Sequence, residues 1–359
     1  MEREVIEMTK QESANMTKKD KIKMKLSLPI GLALLSLSGS LPAAADSAGM
    51  PPVLIKQIVI PNVKPGDFDQ MAYDLKRNRL YVSVEASNFI AIFSLKSGKY
   101  LKEINGIKLP HRLAVEEDSG NLIAVSGGND QVNLYNPEGK LLTSVPTGVF
   151  PDGGILEKNK NVFWVGSRLG AVTEPKSQLQ EIDLGTMHVI STINLPASTL
   201  KDEIIDKARD VLFVSMRDKN QVAVIDLKTN TISAIWSPPG LTKPVPLALD
   251  QAEHLLFVGG RVPGKLFVLD SDTGQVLQKL DSGNISDSMW FDKANQQIYV
   301  STHTGLNVYR VDGRKVVPVV TLDNKEGKSS LLVDELQQLY VAAPVVNGGE
   351  AKLMIYKVN

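Results

Sequence analysis

Apolar residues in this chain follow no helical period. They come in short runs of strand length, and one phrase recurs: two apolar residues, a valine, then a small residue. It stands as Leu80-Tyr81-Val82-Ser83, Ile123-Ala124-Val125-Ser126 and Phe163-Trp164-Val165-Gly166. It returns as Leu212-Phe213-Val214-Ser215, Leu256-Phe257-Val258-Gly259, Ile298-Tyr299-Val300-Ser301 and Leu339-Tyr340-Val341-Ala342. Steps between successive valines are 43, 40, 49, 44, 42 and 41 residues, the period of a four-stranded propeller blade. An acidic residue stands seven to nine places before each valine, from Asp74 in the first copy to Asp334 in the last.

Blade 1 shows the grammar. Met71-Ala72-Tyr73 is the inner strand, Leu80 to Val84 the second, Phe89 to Leu95 the third and Tyr100 to Ile104 the fourth. Polar turns such as Lys76-Arg77-Asn78 and Ser97-Gly98 separate them. The seventh repeat stops after its third strand, Lys352 to Val358. A β-branched strand that belongs to no repeat, Val53 to Ile60, precedes the first. The pattern predicts an all-β, seven-bladed β-propeller, closed by pairing that N-terminal strand with the last blade. Closure removes the open sheet edges that invite aggregation.

The uninterrupted repeat makes residues 46–359 one domain, although the 359-residue length alone would allow two. Lys+Arg and Asp+Glu are equal at 40 each, so no bulk charge calls for nucleic acid or an anionic membrane. The chain has no cysteine, which excludes disulfides, thiolate metal sites and a cysteine nucleophile. Residues 1–45 read as an N-terminal segment with a signal peptide. Five lysines from Lys18 to Lys25 precede the apolar stretch Leu26 to Leu41, and Ala43-Ala44-Ala45 fits a cleavage site. The expectation is cleavage after Ala45, release to the periplasm or exterior, and no membrane span after processing.

Blade 4 reads LFVSMRDKNQVAVIDLKTNTISAI from Leu212 to Ile235. This resembles the repeat of the bacterial YVTN-type propellers, the exported YncE-like family. The resemblance covers the ring and is best in blades 1, 4 and 5. One departure is general: the family's Asn two places after the valine is replaced in every blade, for instance by Val84, Met216 and Gly260. The resemblance implies a seven-bladed, exported, mostly non-enzymatic binding or scaffold protein.

WD-repeat and kelch signatures, a P-loop, a zincin helix and a nucleophile elbow are absent from the sequence, and no cofactor is expected. Two histidines, His111 and His303, fall on the channel's upper face on blades 2 and 6. A metal held by both would have to bridge the pore, and no metal site is expected.

Candidate chemistry emerges from register. Five places before each acidic residue lies a ring that includes Asp69, His111, Asp152, Lys201 and Asp287. The next place inward includes Gln70, Arg112, Gly153 and Asp202. Three places after each valine lies a second ring on the same face, with Glu85, Arg168, Arg217, Arg261 and His303. Three arginines in register on blades 3, 4 and 5, with His303 at the end of the arc, suit a carboxylate or phosphate. The expected ligand-binding set is Arg168, Arg217, Arg261, His303, Arg112, Asp202 and Asp287.

The sequence therefore suggests an exported, monomeric binding propeller whose upper channel face takes an anionic small molecule or an acidic segment of a partner. The alternative is a lactonase-like hydrolase or lyase with Asp69, His111 and Asp152 as acid/base groups. A weaker third idea is single-stranded nucleic acid stacked on Phe89 or Trp290.

Overall fold

A computed structural model describes residues 50–168 and 176–358. The N-terminal segment expected to be a signal peptide and residues 169–175 lie outside the described residues. Among those described, the strands form seven four-stranded antiparallel sheets, each running from an inner to an outer strand in sequence order. The exception is the last blade, whose outer strand comes from the N-terminus: Val53–Val59 pairs antiparallel with Lys352–Lys357, from Val53 opposite Lys357 to Val59 opposite Lys352. The protein is a seven-bladed β-propeller closed in the expected way. No helix of the described residues is long and apolar enough to cross a membrane.

The closing strand works differently from a core strand. Most of its side chains face water; burial is confined to Ile58, which is partial, and to Ile60 just beyond the strand at 2% exposed. Its contribution is backbone pairing along an edge rather than a row of buried β-branched side chains.

The recurring phrase has a packing reason. In a strand, successive side chains point to opposite faces. Leu80 and Val82 pack toward blade 7, against Tyr340 and Ala342. Tyr81, between them, packs toward blade 2, against Leu122 and Ala124. A second strand buried on both faces has to be apolar throughout. The seven core clusters each lie between two neighbouring blades, so the core is a ring of seven interfaces.

The small residue after the valine ties one blade to the next. Ser83 Oγ donates to the His111 carbonyl at 2.7 Å, and Ser215 Oγ to the Val245 carbonyl at 3.0 Å. The acidic residue of the repeat does a different job at the opposite end. Asp74, Asp250 and Asp292 are buried and accept backbone N–H groups of Arg77, Ala252 and Asn295 at 2.8–3.0 Å, capping the turn after the inner strand.

Candidate functional site

Two cavities share the central channel, one at each end. The narrower, about 300 Å³, is the polar upper mouth, and it collects most of the residues expected there. The geometry begins with a β-bulge. The inner strands Pro110–Val115, Pro151–Glu157, Leu200–Asp206 and Pro244–Asp250 lose register within their first four residues. In blade 1, Asp69 and Gln70 both bond Ser83. A bulge sets two residues against one and re-aims side chains. Consecutive residues thus line the same cavity: Asp69 with Gln70, His111 with Arg112, Lys201 with Asp202. The two rings read as successive layers are, at these strands, one layer.

Six carboxylates and six Lys or Arg side chains line this mouth, with His111 as a further basic group. Most are already paired. His111 Nδ1 lies 2.5 Å from Asp69 Oδ2. Asp152 accepts from Lys201 Nζ at 2.6 Å and from Arg168. Asp287 takes Arg261 at 3.4 Å and also Lys328, which reaches Asp67 at 3.2 Å. Arg112 on blade 2 pairs with Asp202 on blade 4. Blade 3, between them, contributes Gly153, where a Cβ would fall 1.6 Å from the Lys201 carbonyl oxygen. Only glycine permits that approach of two blades.

Among the cations of this mouth, Arg217 is the exception. It lines the mouth, half-buried, and its guanidinium has no hydrogen-bond or ion-pair partner among the described residues. Burial and the nearby charges of Arg261 and Arg168 lower its pKa, as expected of a cation that lacks a counter-ion. Its neighbours in the arc are held: Arg168 by Asp152, with its guanidinium 4.5 Å from the Phe150 ring centroid, and Arg261 by Asp287.

Protonation tips the balance of the mouth toward positive charge. Burial works against charging His111, but the charge of Asp152 and the hydrogen bond that His111 donates to Asp69 prevail and raise its pKa. Burial likewise opposes ionisation of Asp152, yet Lys201, His111 and Arg168 hold it well below the usual carboxylate range. Burial, and then the negative charge of Asp69, push Glu85 up to about 7.

Two expectations need correction. His303 is not the end of the arc. It sits in the tight turn between Thr302 and Gly305, its backbone N–H is bonded to the Asn284 carbonyl, and its ring is exposed 3.5 Å from Glu326. A turn this short keeps the side chain on the outside. The stacking surfaces proposed for nucleic acid are also lost. Phe89 is 3% exposed, in the core between blades 1 and 7, and Trp290 lies in the wall of the other cavity with its indole N–H on the Ser330 carbonyl at 3.0 Å.

Asp69, His111 and Asp152 do converge, each with a ligand-type atom within 4.8 Å of the others. A metal there would displace Arg168 and Lys201 from Asp152 and sit among further cations, so the donor set suits the ion pairs it already makes. The other ring nitrogen, His111 Nε2, is buried without a partner; a Cβ at Gly127 would come within 2.6 Å of it, and Phe150 lies 5.3 Å away centroid to centroid. Neither nitrogen is open to the cavity.

Some residues that line the channel escaped the sequence reading. Lys328 and Asp67 precede the registers considered, in loops. Lys201 stood in the first ring without being singled out. Glu203, 4% exposed, has both carboxyl oxygens unpartnered between Gly153 and Gly166, and burial raises its pKa well above the usual range. Nothing in the repeat marks it except being the lone acid at its place in the inner strands.

No family model matches this chain, and no curated protein matches its sequence. Many solved structures share its fold. One, a chain of the crystal structure of the mitotic checkpoint complex, aligns over 93% of this chain and 97% of its own with a TM-score of 0.71. At 16% identity that likeness concerns the fold alone.

Proposed function

We propose that this chain is an exported binding propeller, related to the YncE-like proteins, that acts as a monomer. Its charged upper mouth takes a carboxylate or phosphate group, carried by a small molecule or by an acidic segment of a partner. The observation that carries this reading is Arg217, an arginine without a counter-ion in a cavity where its neighbours are paired. A guanidinium with open donors, flanked by two more, recognises a planar or tetrahedral anion through paired N–H bonds. The paired residues around it act as a fixed frame that keeps the arc from collapsing onto the free group.

Calorimetric titration with sulfate and with succinate tests this. A charge-assisted hydrogen bond contributes about 1.5–3 kcal/mol, so Arg217→Ala should weaken binding roughly tenfold or more. Arg217→Lys should recover part of the loss, and rising salt should weaken binding throughout. Binding of either anion that is unchanged when Arg168, Arg217 and Arg261 are all alanine overturns the reading, as does failure to bind both anions.

A hydrolase or lyase is the second reading. The convergence of Asp69, His111 and Asp152 favours it. It is the weaker one, because a general base needs a ring nitrogen facing substrate, and His111 has one nitrogen on Asp69 and the other walled off.

A further inference from the structure

The opposite end of the channel holds the larger cavity, about 560 Å³, within the range of small-molecule sites. Its walls are apolar strand bodies, among them Leu113, Ile155, Ile204, Leu249 and Leu332, with the aromatic rings of Tyr73, Trp290 and Phe291. The floor is the waist shared with the upper mouth, formed by Gln70 and the Arg112–Asp202 pair. Glu203 also lines it, with both oxygens unpartnered.

The rim decides what kind of molecule fits. On blades 1 to 3 its charges cancel locally: Lys76 pairs with Asp118 at 2.9 Å, and Lys158 with Glu117 at 3.3 Å. On blade 7 they do not. Asp334 and Glu335 line the rim, and neither has a cationic partner among the described residues. Glu335 accepts only the Tyr73 hydroxyl, at 3.1 Å, which draws that ring beside the carboxylates. Trp290, with its N–H tied to Ser330, presents only ring to the cavity side.

We propose that this end of the channel is a second binding site, for an organic cation with an extended apolar body. The body would lie against the leucine and isoleucine walls. The cationic head would sit at the blade 7 rim, between the two free carboxylates and the electron-rich faces of Tyr73 and Trp290. An anionic amphiphile is disfavoured by the same carboxylates. A neutral one would leave them unanswered.

Berberine, a flat aromatic cation that brightens in apolar surroundings, is a suitable probe, with neutral prodan and anionic anilinonaphthalene sulfonate as comparisons. The full chain should bind one berberine, more tightly than either comparison dye. The double variant Asp334→Asn with Glu335→Gln should lose about tenfold of the berberine affinity, as expected for a charge-assisted contact, and little of the prodan affinity. Both positions are exposed, so the variant folds. Ile155→Trp, which fills the half-buried wall, should abolish berberine binding, while Arg217→Ala at the far mouth should leave it unchanged. Equal affinity for the anionic dye overturns the proposal. So does berberine binding that survives the double carboxylate variant, or that survives Ile155→Trp in protein of unaltered melting temperature.

Discussion

The two ends of this channel are built from the same seven inner strands, yet they are chemical opposites. The upper mouth is narrow, lined almost wholly by charge, and retains one cation, Arg217, that is unpaired among the described residues. The lower end is nearly twice as large, walled by aliphatic and aromatic side chains, and retains two anions, Asp334 and Glu335, without a cationic partner among the described residues. The contrast follows from where each residue stands on its strand. Strand starts are bulged, so their side chains crowd together into the channel and must be polar to share it with water and with one another. Strand bodies are regular, so their alternate side chains form the inner wall of the core. In both places the informative group is not the most abundant charge but the one left over after pairing.

The sharpest way to break this comparison is at Asp152. Its carboxylate holds Arg168 and Lys201 and faces His111. Removing one partner of a buried ion network leaves uncompensated charge, at a cost of about 3–5 kcal/mol. Asp152→Ala should therefore lower stability by that order in chemical denaturation. The sign of its pH dependence is fixed: a carboxyl held below the usual range stabilises the fold above that range and stops doing so as acid protonates it. The deficit of the variant should thus shrink in acid. A neutral effect at pH 7 would mean that the mouth's pairs are loose surface contacts.

The lower end predicts the reverse sign. Glu203 is buried with neither oxygen bonded, and its pKa is raised by that burial. A raised carboxyl carries no ionisation penalty below its unfolded pKa and an increasing one as pH rises above it. Glu203→Leu, close in size, should stabilise the protein at pH 7 by about 1–3 kcal/mol, the cost of an unsatisfied buried polar group. The gain should be smaller near pH 4. A loss of stability at pH 7 would instead show that the carboxyl has a partner holding it in place.

How much of this was readable in advance also differs between the ends. The seven valine phrases located the second strands because a strand buried on both faces must be apolar everywhere, and Tyr81 and Val82 show why. The arginine arc was readable because Arg168, Arg217 and Arg261 follow those strands at a fixed distance. His303 broke the rule because it lies inside a two-residue turn, whereas Arg261 is still paired with Gly264 as the last residue of its strand, so equal spacing did not bring equal direction. The bulges left no sequence mark, and without them two rings looked like two layers. Lys328 and Asp67 come from loops that carry no register at all. Glu203 could not be recognised as buried, because its pocket is made by two absent side chains, Gly153 and Gly166, on a neighbouring blade.

Glu85 offers the smallest effect and a refinement of the upper mouth. It stands beside Asp69, His111, Asp152 and Lys328, and burial together with the negative charge of Asp69 brings its pKa to about 7. Below that value it is neutral, and the mouth is one unit more positive. Above it, the restored carboxylate repels an anion. His111 acts in the same direction, since its raised pKa lets it keep a proton past its usual range and lose it only as pH rises further. Sulfate, whose own charge is constant across this interval, should therefore bind more weakly at pH 8 than at pH 6, by roughly threefold for a partly screened charge at this range. Glu85→Gln separates the two groups, because it removes one titration and leaves the imidazole. In that variant the affinity at pH 8 should rise toward the value at pH 6, and any slope that remains belongs to His111. If Glu85→Gln leaves the pH profile of sulfate binding unaltered, Glu85 is not the group that sets the sign of the mouth near neutrality.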